Sequence, residues 1–151
     1  MKLRLKIDGL AELNRKLMAL PQAIRGRPLR AAVAAGARVV QKEARAQVPV
    51  DSGLVRDRIR TMSVRQEQQQ SRAEVVVGVR RSKRVVKQQA GNSGKKDDPY
   101  YWKFIEFGTR FQPARPFLRT AFATTREEAA ATIRDRLAKR VMIEAEKLGR
   151  Q

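Results

Sequence analysis

Residues 28–49 read PLRAAVAAGARVVQKEARAQVP, and the rest of the chain is arranged by what this stretch needs. Leu29, Val33, Gly36, Val40, Ala44 and Val48 recur at steps of four, three, four, four and four, the apolar stripe of an amphipathic helix. Its alanines favour helix and let a neighbour come close. Pro28 suits a first helical turn, and Pro49 ends the run. One apolar stripe needs a partner. The C-terminal stretch 116–147 supplies it: Leu118, Phe122, Ala129, Ile133, Leu137, Val141 and Leu148 form a second stripe, with Pro116 in its first turn and Gly149 past its end.

Between the two helices the period changes from helical to alternating. Residues 58–66 and 72–80 read as strands, Ala73, Val75, Val77 and Val79 sharing a face opposite Arg72, Glu74 and Arg80. Gln68-Gln69-Gln70-Ser71 joins them as a hairpin loop, and Pro49-Val50-Asp51-Ser52-Gly53 is a turn in which glycine permits positive φ. The sum is an α+β fold: a small antiparallel sheet packed against two long helices, one domain over 1–151, with a long basic loop at 82–98. Residues 2–7 alternate as a short strand, Asp8 is a helix N-cap, and Leu10, Leu13, Leu17 and Leu20 mark a helix that Pro21 stops. This piece, about 2–20, is a candidate to dock on a neighbour.

Residues 100–107 carry most of the aromatics: Tyr100, Tyr101, Trp102, Phe104 and Phe107, with Ile105. Tyr101, Phe104 and Ile105 are spaced as one helical face, which Gly108 would terminate in a left-handed conformation. An aromatic-rich strand is the competing reading.

Composition narrows the chemistry. Among 151 residues there is no cysteine and no histidine, which excludes disulfides, thiol nucleophiles, Cys/His zinc sites and imidazole bases. Lys and Arg number 34 against 15 Asp and Glu, a formal charge of +19. Self-repulsion at that level points to a polyanion partner or an assembly that absorbs the charge. Enzyme is therefore the weaker reading. No apolar run is long enough for a membrane span, and the start, with its alternating charges, lacks the apolar block of a signal peptide. The expectation is action in a cytosol, with no membrane partner.

Arg80, Arg81, Lys83, Arg84, Lys87, Lys95 and Lys96 precede any acid in their stretch and are the candidates for DNA contact, because phosphate recognition needs only a density of positive charge. A solvated loop that keeps the protein soluble explains them as well. Arg30, Arg38, Lys42 and Arg45 on the exposed side of 29–48 have the same two readings. Asp97-Asp98 reads as a solvated acidic break rather than a cation site. Gly91-Asn92-Ser93-Gly94-Lys95-Lys96 lacks the spacing and the preceding strand of a phosphate loop. Glu106, among Phe104, Ile105 and Phe107, needs an arginine if it is buried. It is read as a structural Glu–Arg pair or a helix-end residue, with a catalytic carboxylate as the lesser alternative. No catalytic, cofactor or metal site is assigned.

Three pieces then add up. Pro49-Val50-Asp51-Ser52-Gly53-Leu54-Val55-Arg56-Asp57 resembles the P-x-D-T-G-x-L-R turn of a tailed-phage family. Tyr101 to Thr109 is similar to its Y-A-x-x-x-E-F-G-T, and Ala114 to Ala121 to its A-R-P-F-L-R-P-A. The order and spacing are those of the gene-product-ten-like tail-component or head–tail joining family of HK-ninety-seven-type phages, over about residues 8–148. Ser52 stands for threonine, Trp102 for a small residue and Thr120 for proline, and the 82–98 loop is longer and more basic than the pattern requires. The resemblance implies a structural virion protein at the neck or tail top, assembled in the host bacterial cytoplasm. It further implies a homo-oligomeric ring, sixfold or a multiple, around the DNA conduit. Its neighbours would be head-closure and tail-terminator or tail-tube proteins, and it would touch DNA through non-specific phosphate contacts. Pro49, Asp51, Gly53, Leu54, Tyr101, Glu106, Phe107, Gly108, Thr109, Pro116 and Phe117 are the motif residues to place at subunit contacts or in the packing of the sheet on the helices. The alternative is a basic nucleic-acid-binding protein without sequence specificity. A small hydrolase using Glu106 and Asp51 is remote.

Overall fold

A computed structural model describes residues 21–51, 53–64, 73–80 and 98–149, together with Arg15, Met18 and Ala19, which are helical. The expected strand 2–7, its Asp8 cap, the four leucines of 10–20 and the hairpin loop 68–71 lie outside the described residues. The elements are α1 (Gln22–Gln47), α2 (Leu54–Arg58), β1 (Ile59–Ser63), β2 (Val75–Val79), α3 (Trp102–Phe107) and α4 (Leu118–Gly149). This is the α+β arrangement expected, an antiparallel two-stranded sheet with helices.

The first long helix starts earlier than its sequence implies. Pro21 precedes its first residue, and Pro28 lies inside it, fully buried. An interior proline costs a helical hydrogen bond; here burial of the ring offsets that loss. The buried stripe is accordingly Pro28, Ala32, Gly36, Val40, Ala44 and Val48, while Leu29 and Val33 are only half-buried. The expected stripe holds from Gly36 onward and is one residue out before it. On α4 the buried set is Leu118, Ala121, Thr125, Ala129, Ile133, Leu137 and Val141, with Phe122 half-buried and Gly149 still helical rather than beyond the end. Thr125 is accommodated because its hydroxyl donates to the Ala121 carbonyl at 2.7 Å.

Both stripes advance by four residues, so the contact ridges run obliquely around each helix and interdigitate. The helices are antiparallel: Gly36 meets Ala129 and Ile133, whereas Ala44 and Val48 cluster with Phe117, Leu118 and Ala121. A Cβ on Gly36 would sit 2.5 Å from Ile133 Cγ1 and 2.8 Å from the Ala129 carbonyl oxygen. The close approach read from the small residues is thus real, and glycine is what permits it.

The sheet depends on this helix pair. Two strands alone are marginal in water; here Ile59 and Val79, which face each other in the register, both enter the core beside Ala44, Val48, Val55 and Phe117. Pairing extends one residue beyond each strand end, through Arg80 N–H to the Arg58 carbonyl and Val64 N–H to the Glu74 carbonyl, at 2.8 and 3.0 Å. Burial weakens from Val79 to Val75, so the apolar face is well covered only at its α1 end. The Ile59 carbonyl accepts from Gln41 Nε2 at 2.8 Å and Arg45 Nη2 at 2.9 Å, which ties the edge of β1 to α1. α2 was not anticipated; its single turn follows Gly53, whose φ of 74° is the positive value expected of the turn.

Gly36→Val should lower stability by about 1–3 kcal/mol through overpacking against a backbone carbonyl, measured by urea unfolding. Unchanged stability would mean that the helix pair can move apart.

Candidate functional site

The aromatic segment is helical, not extended, and its inner face differs from the expected one. Tyr101, Trp102 and Ile105 pack against the core, and Phe104 turns outward. The buried residue at the centre is Glu106, fully excluded from solvent. Its Oε2 accepts from the backbone N–H groups of Phe117 and Leu118 at 2.8 and 2.9 Å, and its Oε1 from Arg119 N–H at 3.1 Å. Those are three of the four amides that a helix start leaves without acceptors. A carboxylate there also faces the positive end of the α4 dipole. Arg119 completes the clamp: its Nε donates to Oε1 at 3.2 Å and its Nη2 to the Glu106 carbonyl at 2.8 Å. The guanidinium carbon lies 5.2 Å from the Phe107 ring centroid.

The Glu–Arg pair expected from the sequence is present. Its helix-capping role was missed, although Phe117 one position before an apolar stripe offered nothing of its own as a cap. Pro116 is correspondingly exposed and precedes the first helical residue by two positions, rather than occupying its first turn. Thr120, where the resemblance has proline, donates through its hydroxyl to the Pro116 carbonyl at 2.7 Å.

Between α3 and α4 the chain makes a braced projection. Gly108 has φ 75° and ψ 178°, a region open in practice to glycine alone. A Cβ there would also lie 2.8 Å from Ala114 N and 3.0 Å from the Gln112 carbonyl oxygen. The positive φ is as expected, but ψ lies far from the left-handed helical region, so the helix stops in an extended glycine conformation and not in the expected left-handed one. Thr109 N–H donates to the Gln112 carbonyl at 2.9 Å, and the Thr109 hydroxyl oxygen accepts from Gln112 N–H at 3.1 Å. Arg115 N–H to the Ile105 carbonyl, at 2.8 Å, closes the base. At the tip stands Phe111, 90% exposed.

The other sequence candidates divide. Phe117 is core, Pro49, Gly53, Leu54 and Tyr101 are half-buried, and Asp51, Phe107 and Thr109 are exposed. Asp98 is buried beside a buried Pro99, which corrects the reading of a solvated acidic break: it belongs to the folded entry into α3. Arg80 is exposed at the end of the hairpin, while Arg81, Lys83, Arg84, Lys87, Lys95 and Lys96 lie outside the described residues. Both Glu106 oxygens are already engaged in fixing backbone. A recess of about 160 Å³ beside Trp102, Leu118, Met62, Val76, Val77 and Val79 is apolar and holds no titratable side chain. Among the described residues no three metal-ligating side chains converge, and no helix is long and apolar enough to cross a membrane.

What the fold brings together is a row of exposed aromatic side chains and a hydrogen-bonded turn that carries one of them. A family model described as "Bacteriophage HK97-gp10, putative tail-component" matches residues 11–108, and the chain belongs to that phage tail-component family. Neither a curated protein nor a solved structure matches it. The match takes in the Gly53 turn and the segment to Gly108; the Phe117 motif lies beyond it.

Glu106→Gln should destabilise the protein by about 1–3 kcal/mol, the cost of an amide left without its acceptor, seen as a lower urea midpoint. A catalytic carboxylate would instead leave stability unchanged. Gly108→Ala should cost more than Gly53→Ala. Both have positive φ, but the Gly53 Cβ would meet nothing within 4 Å. Equal melting temperatures for the two variants would remove the crowding argument.

Proposed function

We propose that the chain acts at the neck or tail top of a long-tailed phage, in head–tail joining or tail completion, as a homo-oligomeric ring around the DNA conduit. The observation that carries this reading is the exposed aromatic surface of segment 100–111 on a tail-component chain. Tyr100, Phe104 and Phe107 are each about half exposed and Phe111 almost wholly so. With 150–250 Å² per aromatic side chain, they offer roughly 500 Å² of apolar area, against about 800 Å² that one partner contributes to a standard interface. A braced tip such as Phe111 loses little entropy on docking.

A ring needs a head-to-tail contact between different patches on neighbouring copies, and the aromatic segment serves as one of them. The charge of +19 suits non-specific phosphate contact with a DNA that must slide past. Head-closure and tail-terminator or tail-tube proteins are the axial neighbours, and the site of action is the virion, after assembly in the host cytoplasm. The same charge favours a second reading, a basic nucleic-acid-binding protein that needs no ring.

Phage made without this chain should accumulate DNA-filled heads and unattached tails that join when purified protein is added; normal virion yield without it would overturn the reading. In solution, Phe111→Ala should abolish a ring that persists at high salt, with no loss of melting temperature, as light scattering would report. A wild-type monomer that gathers on duplex DNA and leaves it as salt rises would favour the second reading.

A further inference from the structure

Where α1 ends, α2 turns and β1 begins, Arg45, Arg56 and Arg60 line one open cleft of about 650 Å³ with Ala46 and Asp57. Three guanidinium groups thus meet a single carboxylate. They come from three different elements, so their convergence belongs to the fold and not to a charge run. Arg45 is the fixed member: its Nη2 is held at 2.9 Å by the Ile59 carbonyl, which also accepts from Gln41. Its Nε is buried and has no hydrogen-bond partner. Arg56 and Arg60 are exposed, and the contact of Arg56 with Asp57 is long, 3.9 Å, between side chains at 50% and 74% exposure. A surface pair of that kind binds its arginine weakly and releases it to a better acceptor.

We infer that this cleft is a phosphate-binding site, and that its ligand is the phosphodiester backbone of a polynucleotide. Guanidinium forks match phosphate oxygens two at a time, and Arg45 is already oriented by its bond to Ile59. The cleft is open and lacks the enclosing apolar walls with which proteins hold small free ligands. A chain of phosphates can lie across it, and among the described residues no base-reading element accompanies it, so contact is independent of sequence. The inference rests on the reading of a protein beside the DNA conduit and gives that contact a location where α1, α2 and β1 meet, separate in sequence from the basic 80–96 segment.

The test uses the full chain and random-sequence duplex DNA, with affinity followed across salt concentration. Arg56→Gln/Arg60→Gln leaves Arg45 and its bond to β1 in place. Each lost phosphate contact lowers the slope of log K against log salt by about 0.9, so this double variant should lose about two units of slope. Arg134→Gln/Arg136→Gln, which removes the same charge from the exposed face of α4, should lose none. Equal losses in both variants would overturn the inference, since net charge alone would then govern binding. An unchanged slope in the cleft variant would overturn it as well. Stabilisation by millimolar inorganic phosphate, with DNA affinity untouched by the cleft substitutions, would assign the cleft to a small free anion and overturn it. Because purified protein and naked DNA suffice, the outcome is separate from whether heads and tails join in the virion.

Discussion

The carboxylate of Glu106, buried at the start of the last helix, is the interaction on which the rest of the structure leans. An ionised group removed from water is costly unless charge and hydrogen bonds replace its hydration. Three backbone amides and one guanidinium do so here. The bond network joins α3 to α4 without a long apolar contact between them. It also fixes both ends of the intervening projection, because Arg119 holds the Glu106 carbonyl while the Arg115 amide holds that of Ile105. An exposed phenylalanine at the tip of a slack loop would bind weakly and invite aggregation. On this braced turn it is a defined feature of the surface.

The second constraint is the distance between the long helices. Gly36 against Ala129 and Ile133 sets it, and small residues along both stripes keep it along the pair. That spacing brings Ala44 and Val48 near Phe117 and Ala121, leaving a floor on which Ile59 and Val79 can settle. The sheet is too small to stand by itself, so it forms where the helices provide this floor. Gln41 and Arg45 then bind its edge carbonyl. The Arg45 cleft follows from the same contact, since the arginine that secures β1 also faces outward beside Arg56 and Arg60.

The recurrent residues of the tail-component resemblance find physical roles in this frame. Gly53 and Gly108 supply positive φ, Glu106 and Arg119 form the clamp, Thr109 ties the turn, and Phe117 fills the core. They are the parts that hold the α3–α4 projection in place. Of the exposed aromatics, Tyr100, Phe104 and Phe111 sit between or beyond them, and Phe107 belongs to the resemblance itself.

Much of the architecture was legible in the chain itself. Two long amphipathic stripes and an alternating valine strand impose helices and a hairpin, because burial of apolar surface must match the period of the backbone. A glycine after an aromatic run marks a positive φ. Other features depended on what the chain meets once folded. Pro28 lies inside a helix because its ring is buried, and the stripe before Gly36 is shifted by one residue because the buried positions there keep a step of four. Phe104 points outward and Glu106 inward because the amides of α4 begin beside that one position. Local periodicity ranks residues by hydrophobicity, and by that measure a glutamate among aromatics is out of place. Only the approach of a distant helix start, with its unpaired N–H groups, makes the interior its favoured position.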